Sequence, residues 1–220
     1  MVIGGHTEYK SQNLHPTIIL VNDNGQMKVE ESGNRGDFKK IDKALGHFLD
    51  GNLVICPQSA KDCTIIENDG TRKIEMNVRR SNKALVNLND STMWITGGNT
   101  REMSTEFISL NGSKKGDNLP FGIEYHCMVK YNPKHILMIG GNYRMQGGKN
   151  VVATSKTWII DTEQNFNITE GPQLNQGRNF HYCGKIKDAF GNVLIVVISG
   201  KKSLSTRWVG KRQTYFFFIC

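Results

Sequence analysis

Short apolar runs separated by polar turns recur along this chain, and most of them end in glycine. They read Val2-Ile3-Gly4-Gly5, Trp94-Ile95-Thr96-Gly97-Gly98 and Met138-Ile139-Gly140-Gly141, with a frayed copy at Ile198-Ser199-Gly200. Ile55-Cys56-Pro57-Gln58 fills the same slot without glycine. Threonine-led runs follow: Thr17-Ile18-Ile19-Leu20, Thr64-Ile65-Ile66-Glu67, Thr105-Glu106-Phe107-Ile108, Thr157-Trp158-Ile159-Ile160 and Thr206-Arg207-Trp208-Val209. Their spacing, roughly 40 to 60 residues, is that of repeated structural units. The β-branched and aromatic content of each run predicts a strand. Asn22-Asp23-Asn24-Gly25, Asn68-Asp69-Gly70 and Asn111-Gly112 supply the positive φ angles of tight hairpin turns.

A second register is stricter. Lys43-Ala44-Leu45, Lys83-Ala84-Leu85 and His126-Cys127-Met128 each begin 14 residues before Pro57, Gly97 and Gly140. In the last unit His181 precedes Ser199 by a longer interval, and the surplus sits in Asp188-Ala189-Phe190-Gly191-Asn192. Each unit then has four short strands: A near Leu45, Leu85, Met128 or Tyr182, B ending at the glycine pair, C led by threonine, and D. One four-stranded sheet cannot bury both faces alone, so repeated antiparallel sheets predict an all-β propeller. The predicted units are 1–36, 37–78, 79–118, 119–172 and 173–220. That makes about four to five blades in a single domain, with the first blade lacking strand A.

Strand B, the glycine pair, Pro172-x-Leu174-x-x-Gly177-Arg178-x-x-His181 and Leu119-Pro120 one unit earlier together resemble kelch repeats. The resemblance spans nearly the whole chain and is most specific between Trp94 and Gly200. It implies a β-propeller of four-stranded kelch-type blades serving as a scaffold or adaptor. Two departures stand out: the first full unit lacks its glycines, and Phe166 stands near the usual strand-D tryptophan. No segment resembles the BTB and BACK domains of many kelch proteins.

The glycines Gly4, Gly5, Gly97, Gly98, Gly140, Gly141 and Gly200 are expected to be structural. A missing Cβ at the end of an inner strand permits close approach of a neighbouring blade. None has the spacing of a nucleotide-binding loop. In a four-strand meander the B–C and D–A connections emerge on one rim, and the A–B and C–D turns on the other. The first rim collects His6, Tyr9, Asn99, Arg101, Asn142, Tyr143, Arg144, Met145 and Arg178. Tyr, Arg and Met anchor protein interfaces, so this rim is the predicted partner-binding surface.

Composition adds three limits. At 220 residues and 38% hydrophobic, the chain can bury a sizeable core. Its longest apolar runs, Val193 to Ile198 and Tyr215 to Cys220, are too short to span a bilayer. The net charge of +8 is scattered in pairs such as Arg79-Arg80 and Lys114-Lys115, without interleaved aromatics, so no specific nucleic-acid partner is expected. The partner is predicted to be another protein.

Two triplets raise an enzymatic reading. Tyr125-His126-Cys127 and His181-Tyr182-Cys183 open strand A in adjacent units, where propeller oxidases of the galactose oxidase type carry copper-binding histidines and a tyrosine linked to cysteine. Strand alternation would let Tyr125 and Cys127 share a side that excludes His126. Two histidines also leave a metal site short of ligands. No cofactor and no catalytic residue is therefore predicted. A propeller enzyme and a degenerate structural fragment are the alternatives.

Five cysteines, an odd count, leave the compartment open between cytoplasmic and extracellular. Cys127 and Cys183 occupy nearly equivalent positions and would pair across neighbouring blades in a secreted protein. Three sequons, Asn89-Asp90-Ser91, Asn111-Gly112-Ser113 and Asn167-Ile168-Thr169, point outward from the cell. The residues after Met1 read as a strand and not as a signal peptide, and a chain opening within its own repeat predicts upstream sequence or a misassigned start.

Overall fold

The computed structural model describes residues 17–21, 27–31, 44–67, 69–99, 101–145, 152–201 and 214–218. All regular structure within them is β. Strands β1 (Thr17–Val21) and β2 (Met27–Glu31) form an antiparallel pair. Strands β3 (Ala44–Leu49), β4 (Asn52–Pro57), β5 (Asp62–Glu67) and β6 (Gly70–Glu75) make a four-stranded meander. Strands β7 (Ala84–Asn87), β8 (Thr92–Thr96), β9 (Thr105–Ser109) and β10 (Gly112–Gly116) make a second.

The third sheet is interrupted. Strand β11 (Phe121–Glu124) leaves the meander, which resumes with β12 (Cys127–Lys130) and β13 (His135–Ile139). The chain then forms β14 (Asn142–Met145) and β15 (Val152–Ala153) before completing the sheet with β16 (Thr157–Asp161) and β17 (Asn167–Glu170). The result is a four-stranded sheet in the order β12-β13-β16-β17 and a separate sheet β11-β14-β15. Last come β18 (Tyr182–Lys187), β19 (Val193–Ile198) and β20 (Thr214–Phe218).

Thr64, Thr105 and Thr157 lie in strands next to strand B, as their β-rich surroundings predict. In the last sheet Thr214, not Thr206, takes this place: it pairs with Ile198 as Thr157 pairs with Ile139. The connection between β19 and β20 runs over residues 199–213, and Thr206 lies outside the described residues.

Among the described residues the three junctions between successive sheets from β3 to β20 are apolar. Cys56, Ile65 and Ile74 meet Leu85, Met93 and Ile95. Trp94 and Val86 meet Met128, Ile136, Met138 and Trp158. Val129, Leu137 and Ile139 meet Ile195 and Val197. Successive residues on β13 thus serve opposite junctions, Met138 backward and Ile139 forward, because strand side chains alternate. That explains the continuous apolar runs of β4, β8, β13 and β19: an inner strand covered on both faces needs no polar alternation. Two disulfides reinforce the stack. Cys127–Cys183 ties β12 to β18, and Cys56–Cys63 joins β4 to β5. The second was not anticipated from the sequence.

Candidate functional site

The rim at the glycine ends of the B strands is built by close contact. At Gly97 φ is +65°, and a Cβ there would lie 2.3 Å from the Ile123 carbonyl oxygen and 2.7 Å from the His126 ring. Gly140, with φ of +55°, meets the Arg178 carbonyl oxygen at 2.8 Å and the His181 ring at 2.9 Å. Each first glycine thus receives a histidine and a carbonyl from the following sheet. Ser199 holds the same slot in the last sheet with φ of +67°.

Where glycine is absent, the plug changes. Lys83 stands one residue before β7, as His126 and His181 stand before β12 and β18. Its Nζ donates to the Pro57 carbonyl, in the slot that the first glycine fills elsewhere. Burial, with the nearby Arg80 charge, pushes the Lys83 ammonium down to about 8.

His126 and His181 are both buried. His126 Nε2 and the Thr96 hydroxyl share a hydrogen bond of 2.8 Å. Burial first, and His181 second, push His126 down to about 3; burial, then Arg178, push His181 down to about 4. Both are neutral in the folded protein at pH 7. The unfolded chain takes up these protons near pH 6.5 while the folded chain refuses them. Stability contributed by the two rings is therefore complete above pH 6.5 and lost as pH falls toward 4. At about 1.4 kcal/mol per pKa unit, the loss amounts to a few kcal/mol. Urea midpoints are expected to drop between pH 6.5 and 4.5, and His181→Asn to flatten that slope. A midpoint constant across this window would contradict the assignment.

The linkers that lead into β7, β12 and β18 lie side by side. Asn82, Tyr125 and Phe180 all have positive φ, of 59°, 55° and 52°. The Tyr125 N–H donates to the Asn82 carbonyl at 2.9 Å, and the Phe180 N–H to the Tyr125 carbonyl at 3.3 Å. The Tyr125 and Phe180 rings stack at 3.5 Å, and the Lys201 ammonium lies 5.3 Å from the Phe180 ring centre. Beside them Asn179 Nδ2 donates to Asn142 Oδ1 at 2.6 Å, and Asn142 Nδ2 donates to Glu124 Oε1 at 3.1 Å. These bonds tie the β11–β14 pair to the linker that leads into β18.

Another network fixes the adjoining stretch of the same rim. Arg80 and Glu106 are an ion pair at 3.1 Å with no solvent exposure of either side chain. Arg80 also donates to the carbonyls of Gly97 and Ser104. Glu106 accepts from Asn77 N, Asn77 Nδ2 and Val78 N. All the hydrogen-bonding capacity of the pair is used, which is what a buried charge pair requires.

The predicted rim residues separate into groups. Asn99 and Arg101 are exposed, with the Asn99 side chain accepting from the Arg101 and Glu102 N–H groups. Tyr143 and Arg144 are half-buried on β14, and Tyr143 packs edge-on against Phe121 at 5.2 Å. Asn142 and Arg178 are buried, so they hold the rim together instead of facing outward. Met145 closes β14 in register with Phe121. Gly4, Gly5, His6 and Tyr9 lie outside the described residues. Gly98, Gly141 and Gly200 all have positive φ and close backbone or side-chain neighbours. Sequence reading missed Glu124, Asn179 and the Arg80–Glu106 pair, whose partners lie in other units. It did not foresee β11 and β14 either. Their Gly122 and Arg144 pair, joining a D–A linker to a B–C loop.

Among the described residues the Tyr125, His126, Cys127 and His181 side chains do not form the donor set of a copper-tyrosyl centre. Tyr125 precedes β12 with positive φ, so strand alternation does not relate it to Cys127, and Cys127 is bonded to Cys183. The His126 and His181 rings face glycine backbones. Among the described residues no group of three or more His, Cys, Asp or Glu side chains could hold a metal ion, and no helix is long and apolar enough to cross a membrane.

No protein-family model and no curated protein matches the chain. Solved structures do. YjhT aligns at 11% identity and a TM-score of 0.51, over 90% of this chain and 79% of its own. A fungal alcohol oxidase of the AA5 family, in complex with copper, aligns at 11% identity and a TM-score of 0.52. The fold is β-propeller-like. The oxidase match covers 93% of this chain but only 56% of the oxidase. At these identities the likeness concerns the fold alone.

Proposed function

We propose that the chain is a kelch-type propeller whose sheets are blades, acting as a non-enzymatic module that binds another protein on its B–C/D–A rim. The observation that carries this reading is the β11-β14-β15 sheet. It adds ordered strands to one rim, from a D–A linker and a B–C loop. The Glu124–Asn142–Asn179 bonds pre-organise it, which lowers the ordering cost of docking. Tyr143 and Arg144 supply a half-buried aromatic and a cation at its centre. The likeness to an alcohol oxidase supports a propeller enzyme as the second reading, but the unsuitable Tyr125, Cys127, His126 and His181 geometry weighs against the oxidase form.

The test is the double substitution Tyr143→Ala and Arg144→Glu in the full chain. Partner capture is expected to fall at least tenfold, a loss of about 1.4 kcal/mol or more. Cross-links in the wild-type complex are expected at Lys156 and Lys201, on this rim, and not at Lys134 on the other. Unchanged capture, or cross-links confined to Lys134, would overturn the reading.

A further inference from the structure

The three Asn-x-Ser/Thr tripeptides fall on turns of one rim. Asn89 lies in the turn between β7 and β8, Asn111 in the turn between β9 and β10, and Asn167 at the start of β17, opposite Asp161. In each meander these are A–B and C–D turns. All three therefore stand on the rim opposite β11-β14-β15, although their positions span three different hairpins in two sheets. All three asparagines are exposed. The side chains of Asn111 and Asn167 make no hydrogen bond among the described residues. Asn89 accepts from Ser91 N and Ser91 Oγ through Oδ1, both at 3.0 Å, which leaves its Nδ2 amide group turned to other use.

We propose that Asn89, Asn111 and Asn167 are N-glycan acceptors, and that the glycans cover the A–B/C–D rim only. The donor is a lipid-pyrophosphate-linked oligosaccharide. The amide Nδ2 forms a bond to the sugar C1, the bond from C1 to the pyrophosphate oxygen breaks, and the lipid pyrophosphate leaves. The amide gives up one proton, and nothing is oxidised or reduced. A bulky, hydrated chain at these turns displaces no packed side chain. A separate observation points to the same compartment. Cys127–Cys183 and Cys56–Cys63 are bonds of the kind that form and persist in oxidising, secretory surroundings, where this transfer also takes place. Asn111 also borders an open depression lined by Thr92, Phe107 and Lys114, which leaves room for the first sugars.

The inference stands apart from rim docking, since it concerns the opposite face and different residues. The experiment takes the protein purified from its native source and treats it with peptide N-glycosidase in heavy-oxygen water. Former glycan-bearing asparagines are converted to labelled aspartates and read by peptide mass spectrometry. Label at all three sites is expected; label at two or fewer overturns the proposal. In a secreting host, Ser91→Ala, Ser113→Ala and Thr169→Ala should each remove one step of gel mobility while leaving partner capture unchanged. Variants that migrate like the parent would likewise overturn it. Loss of capture in these sequon variants would instead count against rim docking alone.

Discussion

Glu106→Ala is expected to destabilise the protein by about 3–5 kcal/mol, the cost of leaving a buried partner charge uncompensated. Glu106 has no exposed side-chain surface, and Arg80, equally buried, would keep its charge with only the carbonyls of Gly97 and Ser104 and the Ser104 hydroxyl to receive it. Asn77 and Val78 would each lose an acceptor for the backbone N–H. In a chain of this size the melting temperature should fall by roughly 10 °C. Contrast comes from the exposed Lys61–Glu75 pair, also within ion-pair distance at 2.6 Å, where solvent screens the attraction. Glu75→Ala should leave the midpoint unchanged. Equal losses in the two variants, measured by urea denaturation, would show that burial does not set the energetics of these pairs.

The second large effect is at Gly97. Gly97→Ala is expected to cost at least about 3 kcal/mol, from the left-handed backbone penalty and from a methyl group forced against backbone. A Cβ there would approach the Ile123 carbonyl oxygen to 2.3 Å, and that oxygen also accepts from the Gly98 N–H, so it cannot move freely. Gly51 separates the two contributions. Its φ is +79°, yet a Cβ there would meet nothing within 4 Å. Gly51→Ala should therefore cost only about 1–2 kcal/mol, the backbone penalty alone. If Gly97→Ala were as mild as Gly51→Ala, the sheet junction would be looser than the contacts imply.

Both effects concern the same physical feature. The rim is assembled from segments that approach to van der Waals distance at glycine and exchange buried hydrogen bonds elsewhere. Rigidity of this kind suits a surface that docks a partner without first ordering itself. Half-buried Tyr143 and Arg144 lie on the part of the rim that this scaffold supports.

The amino-acid sequence alone determined what depends on neighbours along the chain. Alternation, β-branched content and glycine position are local, so the A, B and C strands of most units, the repeat and the shared rim of the B–C and D–A connections were legible. The role of Gly97 and Gly140 was legible too, because a residue with no Cβ at a recurring strand end has few other uses. The local signal slipped at Thr206: a second threonine followed by aromatic residues stands at Thr214, and only its pairing with Ile198 selects between the two.

Only the tertiary structure decided what depends on segments far apart in sequence. Glu106 sits in a strand where a charge would be expected outside, and its burial follows from Arg80 arriving from the preceding linker. Asn142 and Arg178 read as outward rim residues until neighbouring sheets covered them. Cys56 found Cys63 across a hairpin, and β11 left its meander to pair with β14. Each outcome turns on which groups are excluded from water together, a property of the packed sheets and not of any one strand.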